Sequence, residues 1–423
     1  MNALIKSALI LDNKSDFHNK TQDILIEDGI ITKIANSLKN TNNFQVIQYE
    51  NLHVSQGWFD SSVCFGEPGY EDRETIKNGL KVAANSGFTA VALQPNNYPV
   101  MDSRSAITYT KTQSNNTATT LFPVGALTLE SKGDHLAEIF DMNQAGSIAF
   151  GDYKESIDNP NILKIGLQYA SSFGGLLQSF PQDSQVAQSG VMNENISSTK
   201  LGLKGIPELA EALQIVRDLD ILEYTGGKLH IPTISTAKSV ELIRRAKAKG
   251  LDVSCSVAIH NLIFKDSDIK NYDTNFKVIP PLRTQNAIDA LIEGLKDGSI
   301  DMVTSDHNPI AIEDKKVEFD YAAFGTIGLE SAFGALNKVF STQKAIELLT
   351  KGKSRFGIEN TEIKVGNRCD LTLFNPKGSY TFESKHIASK SKNSMFIGSQ
   401  LKGSVYGVIA NQTAVLKLSL IHI

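Results

Sequence analysis

An α/β barrel joined to a small β domain built from both chain ends is the fold class that the sequence predicts, and three observations predict it. The first fifty or so residues alternate apolar and polar positions with period two. The middle of the chain alternates short apolar strands with helical stretches, the pattern of βα units around a parallel sheet. Beyond about residue 363 the period-two pattern returns. Two β-rich ends flanking one long βα middle bring the termini together beside a barrel. The expected division is 1–52 for the first part of a composite β-sandwich, 53–362 for a (β/α)8 barrel and 363–423 for the rest of the sandwich.

The elements follow in order. Ala3–Ile5, Ala8–Ile10, Asp23–Ile26 and Gly29–Ile34 read as short strands separated by polar turns. Phe88–Leu93, Ser147–Phe150, Gly175–Gln178 and Ile300–Thr304 are barrel strand candidates. The clearest unit is Lys228–Ile234 as a strand, Ser235 as cap of a helix with Val240, Ile243 and Ala246 on one face, Gly250 as its end, and Leu251–Val257 as the next strand. Residues 181–199 are polar and read as an excursion above the barrel. Asp370–Phe374 and Gly407–Ala410 are the closing strands.

Composition narrows the function classes. The chain has 423 residues, 42 basic against 46 acidic, with 41% apolar, an ordinary globular balance that gives nucleic acid little to bind. No run approaches the roughly 18 apolar residues of a membrane span, and the N-terminal apolar run is too short for a secretory signal. Cys64, Cys255 and Cys369 are odd in number and far apart, so they form neither a disulfide framework nor a zinc knuckle. A reducing, cytoplasmic location is expected.

Specific strings then carry a resemblance. Trp58-Phe59-Asp60, Glu67 to Asp72 with Glu74-Thr75, Ser86 to Thr89, and Gln94 to Val100 resemble the opening barrel segments of the dihydroorotase family, within the amidohydrolase superfamily. Gly202 to Pro207, Leu229 to Ile231 with Ser235 to Ala237, Pro280 to Arg283, Ser305 to His307, and Phe324-Gly325 with Gly328 to Glu330 continue it in family order. The resemblance implies a TIM-type barrel that opens or closes a cyclic ureide with zinc-activated hydroxide, which needs imidazoles and acids converging at the C-terminal ends of the barrel strands.

Those imidazoles are missing. The family string Asp-x-His-x-His-x-Arg stands here as Asp60-Ser61-Ser62-Val63-Cys64-Phe65-Gly66. The two other histidine positions align with Phe180 and Thr233, the asparagine before Pro280 is Ile279, and the histidine expected at 310 is Ile310. His230 stands three residues before Thr233, which strand alternation places on the opposite face. Asp306 survives as a vestigial catalytic acid. Asp152 aligns with a bridging acid in the family's Phe-Ser-Asp-Asp-Gly string, with Tyr153 in the neighbouring acidic slot. Asn96 matches a substrate-carboxylate contact. For Cys64 a buried filler role is expected, for His307 a structural one, and for His260 and Asn261 structural hydrogen bonds at a strand end.

Two functions compete. The first is a noncatalytic dihydroorotase homologue with no cofactor expected, a partner of aspartate carbamoyltransferase as the family's pseudoenzyme members are, and itself a homo-oligomer. The second is an active cyclic amidohydrolase, on dihydroorotate or on allantoin or hydantoin, with an atypical centre made from Cys64, Asp152, Asp306 and His307.

Overall fold

The computed structural model describes residues 1–417, so the last six positions of the expected C-terminal segment lie outside the described residues. Five strands open the chain: β1 (Ala3–Ile10), β2 (Thr21–Glu27), β3 (Ile30–Ala35), β4 (Gln45–Ile47) and β5 (His53–Gln56). The predicted pair Ala3–Ile5 and Ala8–Ile10 is one strand, kinked at Ser7, whose φ of 53° shifts the register against β2.

Eight parallel strands then form the barrel. They are β6 (Trp58–Val63), β7 (Phe88–Leu93), β8 (Thr120–Gly125), β9 (Ala149–Phe150) and β10 (Leu176–Gln178). A two-strand ribbon, β11 (Met192–Asn193) and β12 (Gly205–Ile206), sits in the polar excursion. The barrel resumes with β13 (Lys228–Ile231), β14 (Val253–Ala258) and β15 (Met302–Thr304). The barrel's last and first strands close on each other: the Cys64 amide donates to the His307 carbonyl at 2.8 Å. The Asp60 carboxylate accepts from Thr304 Oγ1 at 2.5 Å and from the Ser305 amide at 2.9 Å.

Side-chain alternation divides the barrel's two faces. Leu229, Ile231, Val253, Cys255 and Val257 pack outward under the helices, while Phe59, Ala92, Val124, Leu176 and Met302 fill the interior with Phe356. The capping prediction near residue 235 shifts by one: Thr236 accepts from the Ser239 amide and the helix runs Ala237–Ala248. The Ser235 hydroxyl instead donates to the buried Glu211 carboxylate.

The last strands, β16 (Leu371–Thr381), β17 (Gln400–Ala410) and β18 (Thr413–Leu416), rejoin the first five in one eight-stranded sheet with its own apolar core. β5 pairs with β16 in that sheet, so His53–Gln56 belongs to the sandwich side of the boundary drawn at residue 53. Gly57 marks the crossing, where a Cβ would lie 2.0 Å from Thr89 Oγ1 and 2.2 Å from Asp370 Oδ1. Trp58 seals the joint, stacked on Phe333 and tilted against Phe374. Among the described residues no helix is long and apolar enough to cross a membrane.

Candidate functional site at the barrel mouth

The aligned ligand positions do converge. Ser62, Phe180, Thr233 and Asp306 line one small cavity at the C-terminal ends of their strands, together with Gln94, Tyr153, Lys154 and Gln178. Its open volume is about 10 Å³, room for about one water molecule, where small-molecule pockets run to hundreds of Å³. Three of its residues hold left-handed backbone without being glycine: Tyr153 (φ 57°), Thr233 (φ 50°) and Asp306 (φ 50°). Such conformations cost on the order of 1 kcal/mol each and persist where the surroundings fix them, as at functional sites.

The cavity's charge pair was not read from the sequence. Lys154 Nζ donates to Asp306 Oδ2 at 2.7 Å, with the lysine side chain 10% exposed and the aspartate 1%. Burial raises the Asp306 carboxyl above its ordinary value, and the Lys154 charge and the nearby Ser62 hydroxyl oppose that rise. Lys154 stands at the glycine of the family's Phe-Ser-Asp-Asp-Gly string, read here as Phe150-Gly151-Asp152-Tyr153-Lys154. A cation in place of a glycine beside a lost acid was the signal that could have found it.

The other expected residues lie outside the cavity lining, Cys64 and Asn96 next to it and Asp152 turned away. Cys64 is buried, and burial pushes its thiol up to about 12, with the Tyr153 hydroxyl, the Asp306 and Lys154 charges and Asn96 as lesser influences. It is a neutral thiol at ordinary pH. Asn96 is half-buried beside it. Asp152 spends its carboxylate on the preceding loop, accepting from the Leu127 and Thr128 amides at 2.9 and 3.0 Å and from Thr128 Oγ1 at 2.6 Å. Gly66 has φ 70°, and a Cβ there would stand 2.4 Å from the Tyr70 carbonyl, so the turn excludes the arginine of the family string.

The histidines also correct the expectations. His230 is not on the opposite face. Its ring lies inside the barrel, Nδ1 at 2.8 Å from Ser254 Oγ and Nε2 at 3.3 Å from Ser256 Oγ, the hydroxyl that also receives the Thr233 amide at 3.1 Å. β13 ends at Ile231 and Thr233 is left-handed, so alternation no longer holds across the three residues. The His260 ring makes no hydrogen bond, both of its nitrogens being enclosed and unpartnered, whereas Asn261 Nδ2 does donate to the Pro281 carbonyl at 3.1 Å. His307 Nδ1 accepts weakly from the Gly328 and Leu329 amides. Burial lowers all three imidazoles to about 3, so they are neutral.

Comparison with known proteins places this site. Over 424 residues, covering 99% of both chains, the sequence is 38% identical to the dihydroorotase of Pelotomaculum thermopropionicum. The chain belongs to the dihydroorotase family. The dihydroorotase of Caldanaerobacter subterraneus subsp. tengcongensis is 37% identical over 97% of both chains, and the Dihydro-orotase-like family model matches residues 53–239. Among solved structures, L-hydantoinase (dihydropyrimidinase) from Arthrobacter aurescens superimposes with a TM-score of 0.86 at 20% identity, covering 100% of this chain and 97% of that one. The likeness shows a shared fold.

The zinc that the dihydroorotase family implies does not fit the residues present. Ser62, Phe180 and Thr233 offer two neutral hydroxyls and a phenyl ring, poor partners for zinc. The one carboxylate facing the cavity already holds an ammonium group. Among the described residues no three His, Cys, Asp or Glu side chains converge in a way that could hold a metal ion.

Proposed function

We propose that this chain is a dihydroorotase homologue of pyrimidine biosynthesis that has given up metal-dependent hydrolysis and acts as a structural or regulatory partner of aspartate carbamoyltransferase. The Lys154–Asp306 pair carries the reading, because a lysine bonded to the surviving aspartate supplies the cation that the carboxylate needs and leaves a metal nothing to neutralise. The small cavity supports it too, since a cyclic ureide needs far more than room for one water. The aspartate carbamoyltransferase partnership and a homo-oligomeric chain come from the family resemblance, and a cytoplasmic location from the three unpaired cysteines. Co-expression with the aspartate carbamoyltransferase of the same organism, followed by size-exclusion chromatography with light scattering, tests the partnership. Separate elution at micromolar concentration with unchanged transcarbamoylase kinetics refutes it.

The second reading is an active cyclic amidohydrolase with an atypical centre. Full-length similarity to relatives named dihydroorotase favours it. Metal analysis of protein purified without chelator, combined with assay of dihydroorotate hydrolysis, separates the two: stoichiometric metal with turnover in the ordinary enzyme range of roughly 1 to 1,000 per second assigns the second.

A further inference from the structure

A cleft of about 650 Å³ lies apart from the barrel mouth, between the helix Leu329–Val339, the paired strands β16 and β17, and the loop that follows β16. One wall is aromatic. The exposed His386 ring stacks on the buried Phe382 at 5.9 Å and meets the half-buried Tyr380 edge-on at 5.2 Å, and the buried Phe333 forms the floor. The other feature is charge: Lys377, Lys385 and Lys417 line the cleft, against Glu330 as the one carboxylate among the described residues of its wall. Lys377 and Lys385 are exposed, and Lys385 is held by Glu383 at 2.6 Å. Glu330 Oε1 accepts the Ala388 and Ser389 amides at 2.9 Å each, which fixes the loop carrying Lys385 and His386.

We propose that this cleft binds an anionic ligand with a flat body, of the class of the nucleoside phosphates. The exposed His386 ring, backed by Phe382, takes the face of a planar ring, ammonium groups take the phosphates, and the volume falls within the usual range for a ligand of that size. A bare phosphate chain would leave the aromatic wall unused, and an uncharged nucleoside would leave the lysines unused. The proposal does not depend on whether the barrel hydrolyses a ureide.

Isothermal titration of the full chain with cytidine triphosphate, cytidine and tripolyphosphate tests it. The expected result is one saturable site for cytidine triphosphate, with the nucleoside and the bare tripolyphosphate each weaker by about tenfold or more. The double variant Lys377→Glu with Lys385→Glu changes two exposed residues, and is expected to weaken nucleotide binding by about tenfold or more while melting at the wild-type temperature. Tripolyphosphate binding as tightly as the nucleotide reduces the cleft to a nonspecific anion patch and overturns the proposal. So does nucleotide binding that the double variant leaves unchanged, or no binding at millimolar nucleotide. Binding that appears only after residues 418–423 are deleted assigns the cleft to the chain's own end and overturns it as well.

Discussion

Replacing Lys154 with methionine keeps an unbranched side chain one atom shorter and removes its charge, which leaves the Asp306 carboxylate enclosed without a counter-ion. Breaking a buried pair from one side costs about 3 to 5 kcal/mol. The alternative open to the variant is to protonate Asp306, and that sets a ceiling that moves with pH. An unfolded aspartate titrates near 3.9, and each unit between that value and the working pH costs about 1.4 kcal/mol. The ceiling is therefore about 5.6 kcal/mol at pH 8 and about 2.9 kcal/mol at pH 6. Burial already raises the Asp306 carboxyl in the wild type, so part of this cost is present before the substitution and the observed loss falls below the ceiling. The sign follows from linkage: a carboxyl whose folded value is raised favours the folded state at low pH, and that advantage is lost as pH rises from the unfolded value through the folded one. Urea unfolding of wild type, Lys154→Met, Asp306→Asn and the double variant at pH 6 and pH 8 measures this as a double-mutant cycle. The single lysine variant is expected to lose more stability at pH 8 than at pH 6, and the double variant to regain most of it. A lysine variant as stable as wild type at both pH values, or a double variant no better than the single, refutes the reasoning.

Protein purified without chelator is expected to carry no stoichiometric zinc, because the donors facing the cavity are hydroxyls, a phenyl ring and one occupied carboxylate; plasma emission spectrometry checks this, and zinc lost on Cys64→Ala with Asp306→Ala overturns it. Ring closure of carbamoyl aspartate and hydrolysis of dihydroorotate are both expected at background in a coupled spectrophotometric assay, and turnover that survives affinity repurification contradicts that. Ser62→His with Cys64→His alone is expected to recover no hydrolysis, since Phe180, Thr233 and Lys154 still face the cavity, and measurable activity would show that the ligand positions are misassigned. His230, His260 and His307 sit at about 3 in the fold against about 6.5 unfolded, so unfolding takes up protons and stability falls as pH drops below 6.5. The fall is about 1.4 kcal/mol per unit for each ring, and urea midpoints that stay flat from pH 6.5 to 5 would show that the rings are not held neutral.

Much of the fold was legible because its period is local. Phe88–Leu93 forms the strand that its apolar run predicted, and the return of alternation near residue 370 marks strands that pair with those at the other end of the chain. Boundaries slipped where side-chain chemistry competes. Ser235 was read as a cap because serine caps helices, but its hydroxyl is taken by Glu211, twenty-four residues earlier, and Thr236 caps instead. The expected boundary at residue 53 lies four residues before the crossing at Gly57, because β5 pairs with β16, a partner more than 300 residues away that local pattern does not reveal.

At the site, the sequence by itself determined which donors are gone. Ser62, Phe180 and Thr233 stand where the family string has imidazoles, and no packing can turn a phenyl ring or a hydroxyl into a strong zinc ligand. Only the tertiary structure decided what stands in their place. Lys154 and Asp306 are 152 residues apart and meet because β9 and β15 deliver their ends to one mouth. The same closure turns the Asp152 carboxylate to the Leu127 loop and keeps His230 inside the barrel. Strand alternation reports direction only while the backbone stays extended, and at Tyr153, Thr233 and Asp306 it is left-handed. Which side chains converge at a barrel mouth is therefore set by the strand ends and their turns, over distances that the local pattern of residues does not encode.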